Sequence, residues 1–263
     1  MDKARLVVRI EGETGAINAD TLVAVLQRTL GVLREIDRTS RQGGDPRGHW
    51  RVGEVRNGSI GVVLVPSEDV FPEVAEKLVA GLAVLEARPE LPPWFSEPAI
   101  KKVQQMGKFL GDPGVSGIGL IATGPSGARI ESRVTPEIIE HAAQAFQGTD
   151  EALGSVAGVL DVVNLRRGQH TVSLYDAGER HAVRCTFPED LFEAVRRHLG
   201  SKVRASGTIT RNRAGQVVSV SIDSLDHIEE GGPVPSVAEL AGIAPWYTGE
   251  RNAVEHQQWT RGA

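Results

Sequence analysis

The sequence contains a single cysteine, Cys185, in 263 residues. One thiol cannot close an internal disulfide, and such a chain fits a reducing compartment, so a cytoplasmic location is expected. Aromatic residues are scarce at 5%, so the core is expected to be Val, Leu, Ile and Ala. No apolar run approaches the roughly 18 residues of a helical membrane span, so none is expected. The opening, MDKARLVVRIEGETG, has neither the apolar stretch nor the small-residue cleavage site of a signal peptide, and reads as a first strand. Positive charge is not in excess. A net charge of -5 argues against whole-protein attraction to nucleic acid or anionic lipid, though not against a local basic patch.

Motifs of catalysis and cofactor binding are also missing. The seven His are scattered, with no HExxH and no Cys/His ligand spacing. The glycine-rich GDPGVSGIGLIATGPSG lacks the Gly-Lys-Ser/Thr that sets a lysine on phosphate, and reads as loop, strand and turn. No Gly-x-Ser-x-Gly elbow occurs. His181 and Cys185 lie four apart, but on a strand that puts them about 13 Å apart at about 3.3 Å per residue, too far for a thiolate–imidazole pair. Cys185 therefore reads as a small buried strand residue. The pattern implies a protein that binds rather than catalyses, with no cofactor or metal.

Along the chain, Ala4 to Gly12 alternates as a strand. Asn18 is placed to cap a helix over Ala19 to Asp37, with Leu22, Val25, Leu26, Leu30 and Leu33 on one face. HWRVGEVRNGSIGVVLVP reads as a hairpin turning at Asn57-Gly58. Helices are predicted over Pro72 to Ala87 and, after the proline-rich RPELPPWFSEP, over Ala99 to Leu110. A second hairpin turns near Ser126. Thr135 and Pro136 then open a helix reaching Phe146, and QGTDEALGS reads as a linker. This gives a mixed α+β domain over residues 1–148.

From residue 152 the pattern is three strands, a helix (PEDLFEAVRRHLG, with Leu191, Val195 and Leu199 as its buried stripe) and two more strands. That is the element order of an OB-like five-stranded β-barrel, predicted over residues 152–229. A linker and a C-terminal interaction tail fill residues 230–263. The overall expectation is an α+β protein: a mixed sheet domain, an OB-like barrel and a tail.

Two surfaces are candidates for binding. OB-folds bind oligonucleotides on the face of the second and third strands and with the loops joining strands one to two and four to five. Those loops carry Arg166 and Arg167, and Arg211 and Arg213, while Arg180 and Arg184 belong to the third strand. Together they make a candidate phosphate-attracting patch. Its stacking partners are few: Tyr175 and Phe187, with His170 and His181. The default reading of loop arginines is a solvated surface. The second surface is the tail. From Glu229 onward it has five acids and two arginines, so it is acidic and would not seek phosphate. Leu240, Ile243, Trp246, Tyr247, Val254 and Trp259 space apolar anchors along it, of the kind that dominate protein interfaces. Packing of these anchors back onto the chain's own body is the alternative.

The stretches GSVAG, LYD, VRCTF, KVRASGTI and SIDSLDHI resemble a group of poorly characterised bacterial proteins. The tail, PSVAELAGIAPWYTGERNAVEHQQW, is similar to the toxin-binding C-terminal ends of antitoxins paired with PIN-domain ribonucleases. The resemblance implies a cytosolic protein encoded near a toxin or defence-type gene. Its tail would occlude the ribonuclease active site, with Arg251 or Arg261 reaching the active-site carboxylates. Such antitoxins mostly place a small DNA-binding domain before the tail; no helix-turn-helix or ribbon-helix-helix pattern occurs in this chain. The alternative function is an oligonucleotide-binding accessory protein working through the barrel arginines.

Overall fold

Alternating apolar residues in Arg5–Gly12 (β1) put Leu6, Val8 and Ile10 on one face, where all three are buried. The computed structural model describes residues 4–13, 15–42, 48–56, 60–165, 170–176 and 180–228. β1 lies in a five-stranded sheet with Trp50–Arg56 (β2), Ile60–Pro66 (β3), Val115–Thr123 (β4) and Arg129–Val134 (β5), in the order β2-β3-β1-β4-β5. Every neighbouring pair is antiparallel. The expected hairpins are both present; the turn residues Asn57 and Gly58 lie outside the described residues.

Helices Ala19–Ser40 (α1), Val74–Ala87 (α2), Glu97–Met106 (α3) and Pro136–Gln144 (α4) share one core with the Leu6–Val8–Ile10 face. Asn18 caps α1 by accepting from Asp20 N–H, and Thr135 caps α4 by accepting from Ile138 N–H. On α1 the buried face is centred on Val25, Thr29, Val32 and Ile36, with Leu22, Leu26 and Leu30 only partly buried. Leucine spacing alone misplaces that centre, because Thr29 joins the buried face by donating its hydroxyl to Val25 C=O, at 2.9 Å.

The second half is a closed barrel of Asp150–Asn164 (β6), His170–Tyr175 (β7), Ala182–Phe187 (β8), Lys202–Arg211 (β9) and Val217–His227 (β10), in the order β10-β8-β7-β6-β9. The molecule is therefore a mixed α+β protein with two sheets. Between β8 and β9 lie a 3-10 turn, Glu189–Leu191, and a short helix, Phe192–Arg197 (α5). Val195 is fully buried in the barrel core, beside Leu160, Val183 and Val203. Leu199 is 41% exposed. This corrects the expected stripe: α5 ends at Arg197, so Leu199 leaves the helical face.

A second correction concerns QGTDEALGS. Most of it is strand, not linker: β6 starts at Asp150 and pairs with β9 from Asp150↔Arg211 to Val159↔Lys202. Residues 150–155 are all exposed, so no apolar alternation marks them. Backbone pairing with β9 holds them extended. Residues through Ile228 form one compact unit containing both cores. Residues 229–263 lie outside the described residues, and with them Leu240, Ile243, Trp246, Tyr247, Arg251, Val254, Trp259 and Arg261; Arg166 and Arg167 do as well. No helix among the described residues is long and apolar enough to cross a membrane.

Candidate functional site at the barrel face

The outer face of β7 and β8 is where the sequence places oligonucleotide contacts. It lies against the chain's own α1 and α3. Val162 and Asn164 of β6, Thr171, Ser173 and Tyr175 of β7, and Ala182 and Arg184 of β8 form one wall of a cleft of about 340 Å³. Glu35 and Arg38 of α1, with Ser96, Glu97 and Lys101 at α3, form the other.

The start of α3 fixes this junction. Ser96 caps the helix by accepting from Ala99 N–H and donates its hydroxyl to Glu35, at 3.2 Å. It also forms a parallel β-bridge with Ala182. Two residues earlier, Trp94 N–H donates to Arg180 C=O at 2.5 Å. Glu35 in turn holds Lys102 at 3.3 Å. Glu97 takes Lys101 on one carboxylate oxygen and Arg184 on the other, the latter at 3.7 Å. The third-strand Arg184 is therefore already facing a carboxylate. Its side chain is about half exposed, so the pair is of the weak, screened kind.

The loop between β9 and β10 is held more firmly. Gln216 accepts from Leu91 N–H at 2.7 Å and donates to Leu91 C=O at 3.1 Å, a two-point clamp on the proline-rich segment. Asn212, 1% exposed, donates to Ala145 C=O at 2.9 Å and to Gln216 at 3.1 Å. Its carbonyl oxygen accepts from Ala214 and Gln216 N–H, closing the turn. Arg211 folds onto the same turn, donating to Gly215 C=O at 2.9 Å. Arg213 is exposed.

Of the expected arginine patch, Arg180, Arg184, Arg211 and Arg213 fall within the described residues. Arg211 pairs with Asp150 at one end of β6, whereas Asn164 and Thr171, which flank the loop of Arg166 and Arg167, pair at the other end. Arg180 is not part of the third strand as expected: β8 begins at Ala182, and Arg180 lies in the segment before it, with its guanidinium 5.5 Å from the Trp94 ring centroid. Of the expected stacking residues, Tyr175 and Phe187 are buried, and His170 stacks on Phe187 at 5.4 Å. His181 is buried and donates Nε2–H to Val217 C=O at 2.8 Å.

Cys185 is fully buried in the barrel core, as expected, and burial pushes its thiol up to about 12. That removes the thiolate a nucleophile needs at neutral pH. Burial likewise raises Tyr175, with Asp161 adding to it, so its phenol is neutral. Among the described residues, no three His, Cys, Asp or Glu side chains gather as a metal site.

The sequence reading missed the residues that join the two halves: Trp94, Ser96, Glu97, Asn212 and Gln216. The one available signal was PPWFSEP, where a tryptophan and a phenylalanine sit inside a proline-rich break. Nothing in NRAGQ marks Gln216 as a clamp. No protein-family model matches this chain, and no curated protein matches it.

Proposed function

We propose that this chain acts by binding a protein, as a non-catalytic, antitoxin-like inhibitor whose C-terminal tail docks on a PIN-type ribonuclease. One observation within the described residues supports this reading. The barrel's polar groups turn toward the rest of the chain: Arg184 toward Glu97 of α3, Gln216 onto Leu91 in the proline-rich segment, Asn212 onto Ala145 just after α4. The barrel then serves as a rigid body, and partner binding falls to the segment beyond Ile228. Leu240, Ile243, Trp246, Tyr247, Val254 and Trp259 are its anchors, and Arg251 or Arg261 reaches the partner's carboxylates. Co-purification from the native operon tests the reading. A partner held by the full chain and lost when the chain ends at Glu230, with the shortened chain still folded, is the expected outcome. A partner retained by Trp246→Ala plus Trp259→Ala refutes the anchor assignment.

The second reading, an oligonucleotide-binding accessory protein, is favoured by topology. Numbered within the barrel, the strands run 1-2-3-5-4 and close on 1, with the third and fifth parallel and a helix between the third and fourth. That arrangement supports an OB-like barrel. Salt-sensitive binding of single strands, lost when Arg166, Arg167, Arg211 and Arg213 are changed to Ala, is its test. Absence of binding at low salt ends it.

A further inference from the structure

Four described non-glycine residues have a positive φ: Gln42 (58°), Trp94 (72°), Val162 (34°) and Arg180 (58°). Gln42, Trp94 and Arg180 line a single cleft of about 490 Å³, which shares Tyr175 with the one described above. A side chain at such a backbone conformation is strained, and strain of this kind concentrates at ligand clamps. Trp94 and Arg180 are also hydrogen-bonded to one another across the cleft wall.

Two cations and two carboxylates line this cleft, Lys77 and Arg180 with Glu73 and Asp176, and neither cation is drawn into an ion pair among the described residues. The Lys77 ammonium lies 3.9 Å from the Trp94 ring centroid and 4.4 Å from that of Phe71, and donates to Ser40 Oγ at 3.0 Å. The Arg180 guanidinium lies over the same indole. Among the described residues, no carboxylate oxygen is within ion-pair distance of Lys77. Burial lowers its pKa; Glu73 opposes that, Arg180 adds to it, and Asp37 opposes it. Two cations on one concave surface repel each other, and a bound anion relieves the repulsion. Arg180 lies just before β8 of the barrel and Lys77 on α2, so an anion between them also bridges the two halves of the fold.

We propose that this cleft binds a mononucleotide-class ligand, with its phosphate between Lys77 and Arg180 and its planar base on the Trp94 indole. A rotamer change that carries the Lys77 ammonium from the rings toward the phosphate uncovers the indole face. Glu73, also in the lining, is an acceptor for sugar hydroxyls. The volume falls within the roughly 300–1,000 Å³ of small-molecule sites. The inference does not depend on the tail or on the oligonucleotide reading.

The test is calorimetric titration of the full chain at low salt with AMP, adenosine and inorganic phosphate, repeated on Lys77→Gln and Arg180→Gly. The glycine variant removes the cation at a backbone conformation that glycine accepts freely, so its melting temperature is expected to hold. AMP is expected to bind at least ten-fold more tightly than adenosine or phosphate, and each substitution to weaken it at least ten-fold. AMP binding no tighter than either fragment overturns the proposal, as does AMP binding unchanged in both variants.

Discussion

Cutting the Gln216 clamp is the sharpest test of how the two halves are joined. Gln216→Ala removes three side-chain hydrogen bonds, two with Leu91 and one with Asn212. It also leaves the Leu91 N–H and C=O without those partners in a residue that is 3% exposed. Each lost bond is worth about 1 kcal/mol net, and an unsatisfied buried group costs about 1–3 kcal/mol. Water entering the gap left by the shortened side chain recovers part of this, so a loss of about 3 kcal/mol is expected. At about 2–4 °C per kcal/mol for a unit of this size, the melting temperature falls by about 6–12 °C. Asn212→Ala and the double variant complete a cycle. Because the two side chains share a hydrogen bond, a coupling of about 0.5–3 kcal/mol is expected. A fall of less than about 2 °C for Gln216→Ala, with additive energies, refutes the clamp. The same variant separates the two functional readings. Freeing the loop of Arg211 and Arg213 strengthens single-strand binding if the barrel is an oligonucleotide module, and leaves partner capture unchanged if the tail is the docking element.

The remaining expectations follow from burial. Gly81→Ala is expected to destabilise by about 1–2 kcal/mol although alanine favours helix: its Cβ would lie 2.2 Å from the Phe95 ring, which is fully buried. A melt showing stabilisation refutes this. Val195→Ala, inside the barrel core, is expected to cost about 2 kcal/mol, and Leu199→Ala less than about 0.5 kcal/mol; equal costs would restore Leu199 to the core. Cys185 is raised to about 12 in the folded chain, against about 8.5 unfolded. The unfolded state therefore loses the proton first. Stability is fully present below about pH 8.5 and falls by up to about 1.4 kcal/mol per pH unit above it. Denaturant midpoints measured from pH 8 to 11 are expected to fall more steeply in the wild type than in Cys185→Ala; parallel curves refute the assignment.

What the sequence made legible is what local physics controls. Alternation marked β1 and the barrel core strands, and Asn18 and Thr135 marked helix starts through caps that the structure contains. Cys185 was placed as a buried core residue by its neighbours alone. What stayed hidden depends on pairing between distant segments. The exposed start of β6 carries no pattern, because β9 supplies its order through main-chain bonds. Leu199 was misplaced because its helix ends two residues earlier.

The same distinction decides which arginines can be weighed from sequence. A run such as NRAGQ shows positive charge at a turn, but not whether that turn is anchored. Asn212 and Gln216 reach residues 67 and 125 positions away, and those contacts fix the loop that carries Arg211 and Arg213. Arg180 has the opposite history. It looks like one more strand-edge arginine, yet it lies near Trp94 and Lys77 only because the proline-rich segment returns to the barrel. Charge that is solvated in the local sequence becomes a candidate site only where the tertiary fold gathers it on a concave surface without tying it up in ion pairs. By that criterion the cleft between α2 and the segment before β8 is a stronger candidate than the loop arginines.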